Sequence, residues 1–189
     1  FNVGSVTSFN RLADLFFTRR IGLSESGGTV PIRGGARLTG KVGANDIAIM
    51  DVQTEDAFGR SGENFLVARY SRHLFARSKV GGLFINKMQT NGEHFNRTYA
   101  VDMSLAPHAN MTITGFVAKT ETPGVVSGDL GAYLNATWLS DKWRIYGEYA
   151  DFQDGFNPEV GFLPRRGIRT TKLHMERNPR PGFWGIRVL

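Results

Sequence analysis

The stretch LGAYLNATW, Leu130–Trp138, decides how this chain is read. Leu130, Ala132, Leu134, Ala136 and Trp138 take every second position, and Gly131, Tyr133, Asn135 and Thr137 fill the places between. Successive side chains of a strand point to opposite sides, so a period of two specifies a strand and not a helix. The same beat runs through Thr98–Leu105, where Tyr99, Val101, Met103 and Leu105 oppose Thr98, Ala100, Asp102 and Ser104. It returns in Met111–Lys119 and in Trp143–Asp151. Segments of about ten residues, ended by aromatics, are long enough to cross a bilayer as tilted strands.

Outward from this centre, Pro31–Gly43 puts Arg37, Thr39 and Lys41 on one side and Leu38, Gly40 and Val42 on the other. Further strands are expected at Leu15–Leu23, Ile47–Thr54, Asn64–Ser71, Ser78–Met88 and Ile168–Arg177, and after Pro181 a last apolar stretch. Gly81-Gly82 within Ser78–Met88 marks a bend or a close backbone approach. Asn91-Gly92 reads as a tight two-residue hairpin connection, and Leu139–Lys142 as a short turn. This makes about ten strands at intervals of roughly 15–20 residues, with hairpin-type turns and no helical period. The expected fold is all-β: an antiparallel up-and-down meander, forming a transmembrane β-barrel or a segment of a larger one. Residues 1–189 are read as a single, incomplete barrel domain. The competing reading is a soluble β-sheet protein whose polar face meets solvent.

In a membrane barrel the two faces have different solvents. Tyr99, Val101, Met103, Leu105, Leu130, Leu134, Trp138, Trp143 and Ile145 are then expected to face lipid. Arg37, Lys41, Arg69, Asp102, Arg144 and Glu148 are expected to face a wet lumen.

Composition narrows the function classes. Net charge is +6, but the basic residues are spread over most strands with no run of five or more, so solvated or lumen-facing charge is favoured over a nucleic-acid footprint. Cysteine is absent, which removes disulfides and thiolate metal sites. No stretch approaches the roughly 18 apolar residues of a transmembrane helix, so any membrane role must use strands. The chain opens on Phe1 without a signal peptide, as expected of a processed or partial chain.

Candidate chemistry is sparse. GARLTGK, Gly35–Lys41, fits most of a phosphate-binding loop, but Val42 stands where Ser or Thr is needed and no helix follows. His73, His94, His108 and His174 show no ligand spacing, so no metal is expected. There is no GxSxG elbow for a hydrolase nucleophile. Asp102, Asp129, Glu148, Asp151 and Asp154 contain the carboxylates from which a glycosidase pair would be drawn. Lumen-facing carboxylates matched to arginines are the favoured reading of them. No catalytic residue and no cofactor is expected. Three Asn-x-Thr sequons, at Asn96, Asn110 and Asn135, are read as accidental.

LFFTRRIGL, PIRGGARLTGKVG, NFLVARYSR, RSKVGGLFIN and DFQDGFNPEVGFLPRR, in this order, resemble a barrel domain of bacterial proteins. In that family the barrel follows a carbohydrate-binding-like module of family 9 and has no assigned function. The resemblance runs from about Leu15 to Arg166, and FNPEVGF and the FF-x-RRIGL start are its most specific parts. It implies the outer membrane of a Gram-negative bacterium. Arg19, Arg20, Arg165 and Arg166 in these motifs are read as a cationic band, in the lumen with Asp51, Glu148 or Asp151 or at the membrane rim.

The expected function is that of a non-enzymatic outer-membrane barrel, serving transport, secretion or anchoring of an envelope module. The alternatives are a glycan-acting hydrolase and a structural barrel subunit of a larger envelope assembly. The implied partners are outer-membrane lipid, carbohydrate through a module not contained here, and other envelope proteins.

Overall fold

The computed structural model describes residues 12–24 and 27–179. Nine strands make up one antiparallel sheet in sequence order: β1 (Ile32–Val42), β2 (Asn45–Thr54), β3 (Glu63–Leu74), β4 (Ser78–Gln89), β5 (Phe95–His108), β6 (Met111–Glu121), β7 (Leu130–Leu139), β8 (Trp143–Phe152) and β9 (Ile168–Arg177). The fold is the all-β up-and-down meander expected. Among the described residues the sheet is open: β1 and β9 are its two edges. The only helical element among the described residues is the 3₁₀ turn Thr18–Arg20.

Connections differ at the two ends of the sheet. Residues 43–44, 75–77, 109–110 and 140–142 make short turns at one end. Residues 55–62, 90–94, 122–129 and 153–167 make longer connections at the other. Asn91-Gly92 does not form the two-residue hairpin expected of it. It sits inside residues 90–94, where Gly92 (φ 76°) donates to the Gln89 carbonyl at 2.9 Å and the Asn91 side chain accepts from the Glu93 amide at 3.1 Å.

Leu15–Leu23 is not a strand. It turns into the 3₁₀ helix at Thr18, and Gly22 (φ 80°) leaves extended conformation altogether. Its apolar residues do not alternate across a sheet; Leu15 and Phe16 are buried side by side in the core. The first strand is therefore β1, and nine strands are described rather than about ten. The last apolar stretch expected after Pro181 lies outside the described residues.

The buried core lies on one face only. Phe65, Val67, Leu83, Ile85, Phe116, Tyr133, Ala150 and Phe152 point to this covered face, near the end with long connections. Over them fold two segments from opposite ends of the chain. Asp14 exchanges both backbone hydrogen bonds with Phe162 at 2.8 and 2.7 Å, and the Phe17 amide donates to the Val160 carbonyl at 2.8 Å. Together Leu12–Phe17 and Phe156–Leu163 make a cap that seals Leu15, Phe156 and Val160 against the sheet.

Candidate functional site

Register places the sequence-expected site residues on two faces. Arg37 lies opposite Met50, Lys41 opposite Asp46, Asp102 opposite Gly81, Arg144 opposite Glu176, and Glu148 opposite Lys172. These, with Arg69 on β3, share the covered face. Tyr99, Val101, Met103, Leu105, Leu130, Leu134, Trp138, Trp143 and Ile145 all fall on the opposite, apolar face. Every hydrophobic side chain of that face is at least partly exposed, and Val101 is 68% exposed.

On the covered face the core gives way, toward the short-turn end, to paired charge. Arg69 reaches from β3 across β4 to Asp102 on β5 in a bidentate pair, its Nη2 donating to Oδ1 at 2.8 Å. The residue crossed is Gly81: a Cβ there would stand 2.6 Å from Arg69 Nη1. The Gly-Gly signal thus marks a close approach, but of a side chain over backbone.

A second knot centres on Glu148, whose side chain is fully buried. It accepts from Tyr133 at 2.9 Å, from Tyr146, and from Lys172 Nζ at 2.8 Å. Neighbouring strands lie about 4.8 Å apart, so Asp102 on β5 and Glu148 on β8 are separated by roughly 14 Å across the sheet. Each is tied to its own cation, so the two do not face one another as a glycosidase pair would. Asp51 and Asp151 differ from expectation. Parity puts both on the apolar face, where Asp151 bonds Arg169 at 2.7 Å and Asp51 accepts from Asn64 at 3.3 Å. They cannot pair with covered-face arginines.

The cap is pinned by polar side chains that are nearly inaccessible. Asn96, fully buried, donates to the Asn157 carbonyl at 2.8 Å and accepts from the Glu159 amide at 3.2 Å. Thr120 accepts from the Asn157 amide at 3.0 Å. Glu159 is held by Lys87 at 3.1 Å and His94 at 3.0 Å. Phe156 lies on Gly131, where a Cβ would come within 2.6 Å of the ring. Of the four arginines read as a cationic band, Arg166 donates to Asn157 at 2.7 Å and lines, with Arg20 and Lys87, a cleft of about 290 Å³ beside the cap. Arg19 lies in the 3₁₀ turn and Arg165 in the connection between β8 and β9, just beyond the two cap segments and off the strands. The FF-x-RRIGL and FNPEVGF motifs, 140 residues apart, therefore meet at the cap.

Gly35–Lys41 lies wholly inside β1, so no loop or helix N-terminus is present to cradle phosphate. His73 pairs with Asp46 at 2.6 Å, His94 with Glu159, His108 stacks on Trp138 at 5.0 Å, and His174 stands 3.7 Å from Glu176. Among the described residues no group of three or more His, Asp or Glu is arranged to hold a metal.

The apolar face forms a band with two aromatic borders. On β7 it runs from Leu130 to Trp138, about 27 Å along the strand. Toward the short turns, Trp138 stacks on His108, Arg177 lies over Trp143 at 5.6 Å, and Tyr70 donates to Asn45 at 2.7 Å. Toward the long connections, Tyr99 donates to Glu121 and Tyr149 to Asp151, each at 3.3 Å, and Arg97 lies over Phe95 at 4.6 Å. The tyrosines keep their rings in the band and send their hydroxyls to its polar edges.

This edge is slanted. Asp51, Leu66, Asn86, Arg97 and Glu121 follow one another along one hydrogen-bonded row from β2 to β6. The row through Tyr70, Gly82, Val101, Val117 and Ala132 lies four residues closer to the short turns and starts apolar, yet it ends in Asp151 and Arg169 on β8 and β9. The polar border thus steps about four residues along the strands as it crosses the sheet, as a level boundary does on tilted strands.

Neither a family model, nor a curated protein, nor a solved structure matches this chain. Parity in the sequence was enough to separate Arg37, Lys41, Arg69, Asp102, Arg144 and Glu148 from Tyr99, Trp138 and Trp143. The cap, Thr120 and the tyrosines around Glu148 were not singled out, and Asn96 was read only as an accidental sequon. The Asn-Pro-Glu triplet after a Phe, with Gly161 two residues on, was the local signal of a tightly held turn, but nothing local named its partner.

Proposed function

We propose that the chain is a sector of an outer-membrane-type β-barrel, acting as a non-enzymatic envelope protein. The observation that carries this reading is the apolar band crossing all nine strands in a slant, aromatic at both edges, behind a face of paired charges and buried core. A soluble single-layer sheet would have to leave Leu38, Val101, Val117, Leu134, Leu173 and Met175 in water together. Transmembrane barrels carry such a band, about 25 Å tall, with aromatic girdles. At a tilt near 40°, the 27 Å of β7 stands about 21 Å high. The resemblance noted from the motifs supports the outer membrane of a Gram-negative bacterium as its location.

Within this class, the cap favours anchoring or gated passage over an open pore. It fills one end of the covered face with Leu15, Phe156 and Val160, which are apolar groups that a water-filled channel would not expose. The test is extraction and labelling of the full chain in membranes. The protein is expected to resist carbonate and urea, and to require detergent. Single cysteines at Val101 and Val117 should stay unreactive to a charged maleimide in vesicles, while one at Phe75, 94% exposed in a turn, reacts. A monodisperse protein in detergent-free buffer would overturn the reading.

A further inference from the structure

Gly82 poses a question that Gly81 does not. At Gly81 a side chain is forbidden by Arg69; at Gly82, on the apolar face, an added Cβ would meet nothing nearer than the Ala100 carbonyl at 3.7 Å, and no positive φ demands glycine. Glycine weakens a strand interior and gives the lipid face nothing to bury. Its effect is to hollow the surface. With Ala68 on β3 it floors a trough of about 600 Å³, walled by Tyr70 on one side and by the Phe84–Tyr99 pair, 5.2 Å apart, on the other. The trough runs from Ile47 on β2 to Lys119 and Leu130 on β6 and β7.

We propose that this trough seats one acyl chain of a membrane lipid bearing a phosphate headgroup. The proposal rests on the barrel reading above and names a partner of that surface. Three observations choose the occupant. Apart from Arg69, whose guanidinium is turned to Asp102 on the covered face, the lining is hydrocarbon and aromatic except at one end. That end holds Lys119, half exposed, with its nearest carboxylate, Asp129, at a loose 3.6 Å, on the slanted polar border where headgroups lie. The length also fits. Five strand spacings of about 4.8 Å give about 24 Å, and along rows inclined near 40° to the membrane plane this climbs roughly 15 Å, the depth of one leaflet. An ammonium at the border and a chain-deep trough below it match a phosphate and its acyl chain.

The experiment is native mass spectrometry of the full chain released from mild detergent, titrated with phosphatidylglycerol or phosphatidylcholine. One retained phosphatidylglycerol is expected, held about fivefold more tightly than phosphatidylcholine. Gly82→Leu should lower retention of both lipids about tenfold. Lys119→Gln should erase the preference between them and keep the retention. Gly147→Leu, on the same face but outside the trough, should change neither. Heat-modifiable gel mobility reports folding of each variant, and Ala68→Leu, filling the same floor, carries the test if Gly82→Leu misfolds. Retention unchanged in the folded trough variant overturns the proposal, as does equal loss in Gly147→Leu. So does a dimer that Gly82→Leu dissociates, which would assign the trough to a second copy. A protein that needs no detergent would instead overturn the barrel reading itself.

Discussion

Arg69 and Asp102 are paired across a strand that belongs to neither of them. The guanidinium leaves β3, lies flat over Gly81 of β4, and closes on the Asp102 carboxylate of β5. Both partners are largely buried, at 8% and 13% exposure. A buried pair of this kind is held together by geometry more than by net attraction, since both ions have left water. Removing the space it lies in strands both charges.

Gly81→Ala is therefore expected to destabilise the fold by about 2–4 kcal/mol, because the added methyl collides with Arg69 and with the Tyr70 carbonyl. Gly82→Ala, one residue along and on the other face, should stay within about 0.5 kcal/mol. Urea unfolding in detergent micelles measures both. Equal effects of the two substitutions would show that strand propensity, and not the pair above Gly81, sets the cost.

Glu148 should be the most sensitive carboxylate of the sheet. Its carboxylate serves Tyr133, Tyr146 and Lys172 together. Glu148→Gln keeps the size but removes the charge opposite Lys172, and should cost about 2–3 kcal/mol. Tyr133→Phe removes one hydroxyl and should cost about 1 kcal/mol. The same unfolding measurement tests the order. A Glu148→Gln variant as stable as the parent would show that the charge opposite Lys172 contributes nothing net to stability.

Much of this was legible in alternation, and the reason is physical. Parity along a strand assigns a side, so Arg37 was separable from Leu38, and Glu148 from Tyr149, without coordinates. Parity assigns no height. Asp51 and Asp151 stand on the apolar face because they stand at its slanted border, and height depends on tilt and register, which no single strand records. Leu15–Leu23 misled because β-prone residues suit a core as well as a strand. What decides between the two is the partner, and that partner, Val160–Phe162, lies more than 140 residues away. The cleft at Arg20 and Arg166 was out of reach for the same reason.

One half of the cap, the strap Leu12–Phe17, should be releasable from the other. Gly161 is pressed so close to the strap that a Cβ would lie 2.3 Å from the Asp14 carbonyl. Gly161→Ala should separate the strap from residues 160–162 while leaving the sheet paired. Trypsin should then cut at Arg19 and Arg20 about tenfold faster than in the parent. Leu15→Ala, emptying a fully buried site, should cost about 2–5 kcal/mol by the usual cavity penalty. Unchanged proteolysis of Gly161→Ala would mean that the strap is held elsewhere.

The edges of the sheet make the last expectation. Nine antiparallel strands in sequence order leave β1 and β9 running in the same direction. Closing such a meander by antiparallel pairing needs an odd number of further strands between them, and in lipid an open edge leaves each backbone group unsatisfied at several kcal/mol. β1 and β9 are thus expected to pair with other strands and not with each other. The chain contains no cysteine, so engineered pairs report without background. Leu38→Cys with Leu173→Cys should fail to cross-link under mild oxidation, because a disulfide needs Cα atoms within about 7 Å. Ile49→Cys with Ala68→Cys, directly opposed on β2 and β3, should cross-link readily and serves as the control. A disulfide between positions 38 and 173 in folded monomer would show that the nine strands seal on themselves through a parallel seam, and the need for additional strands would fall with it.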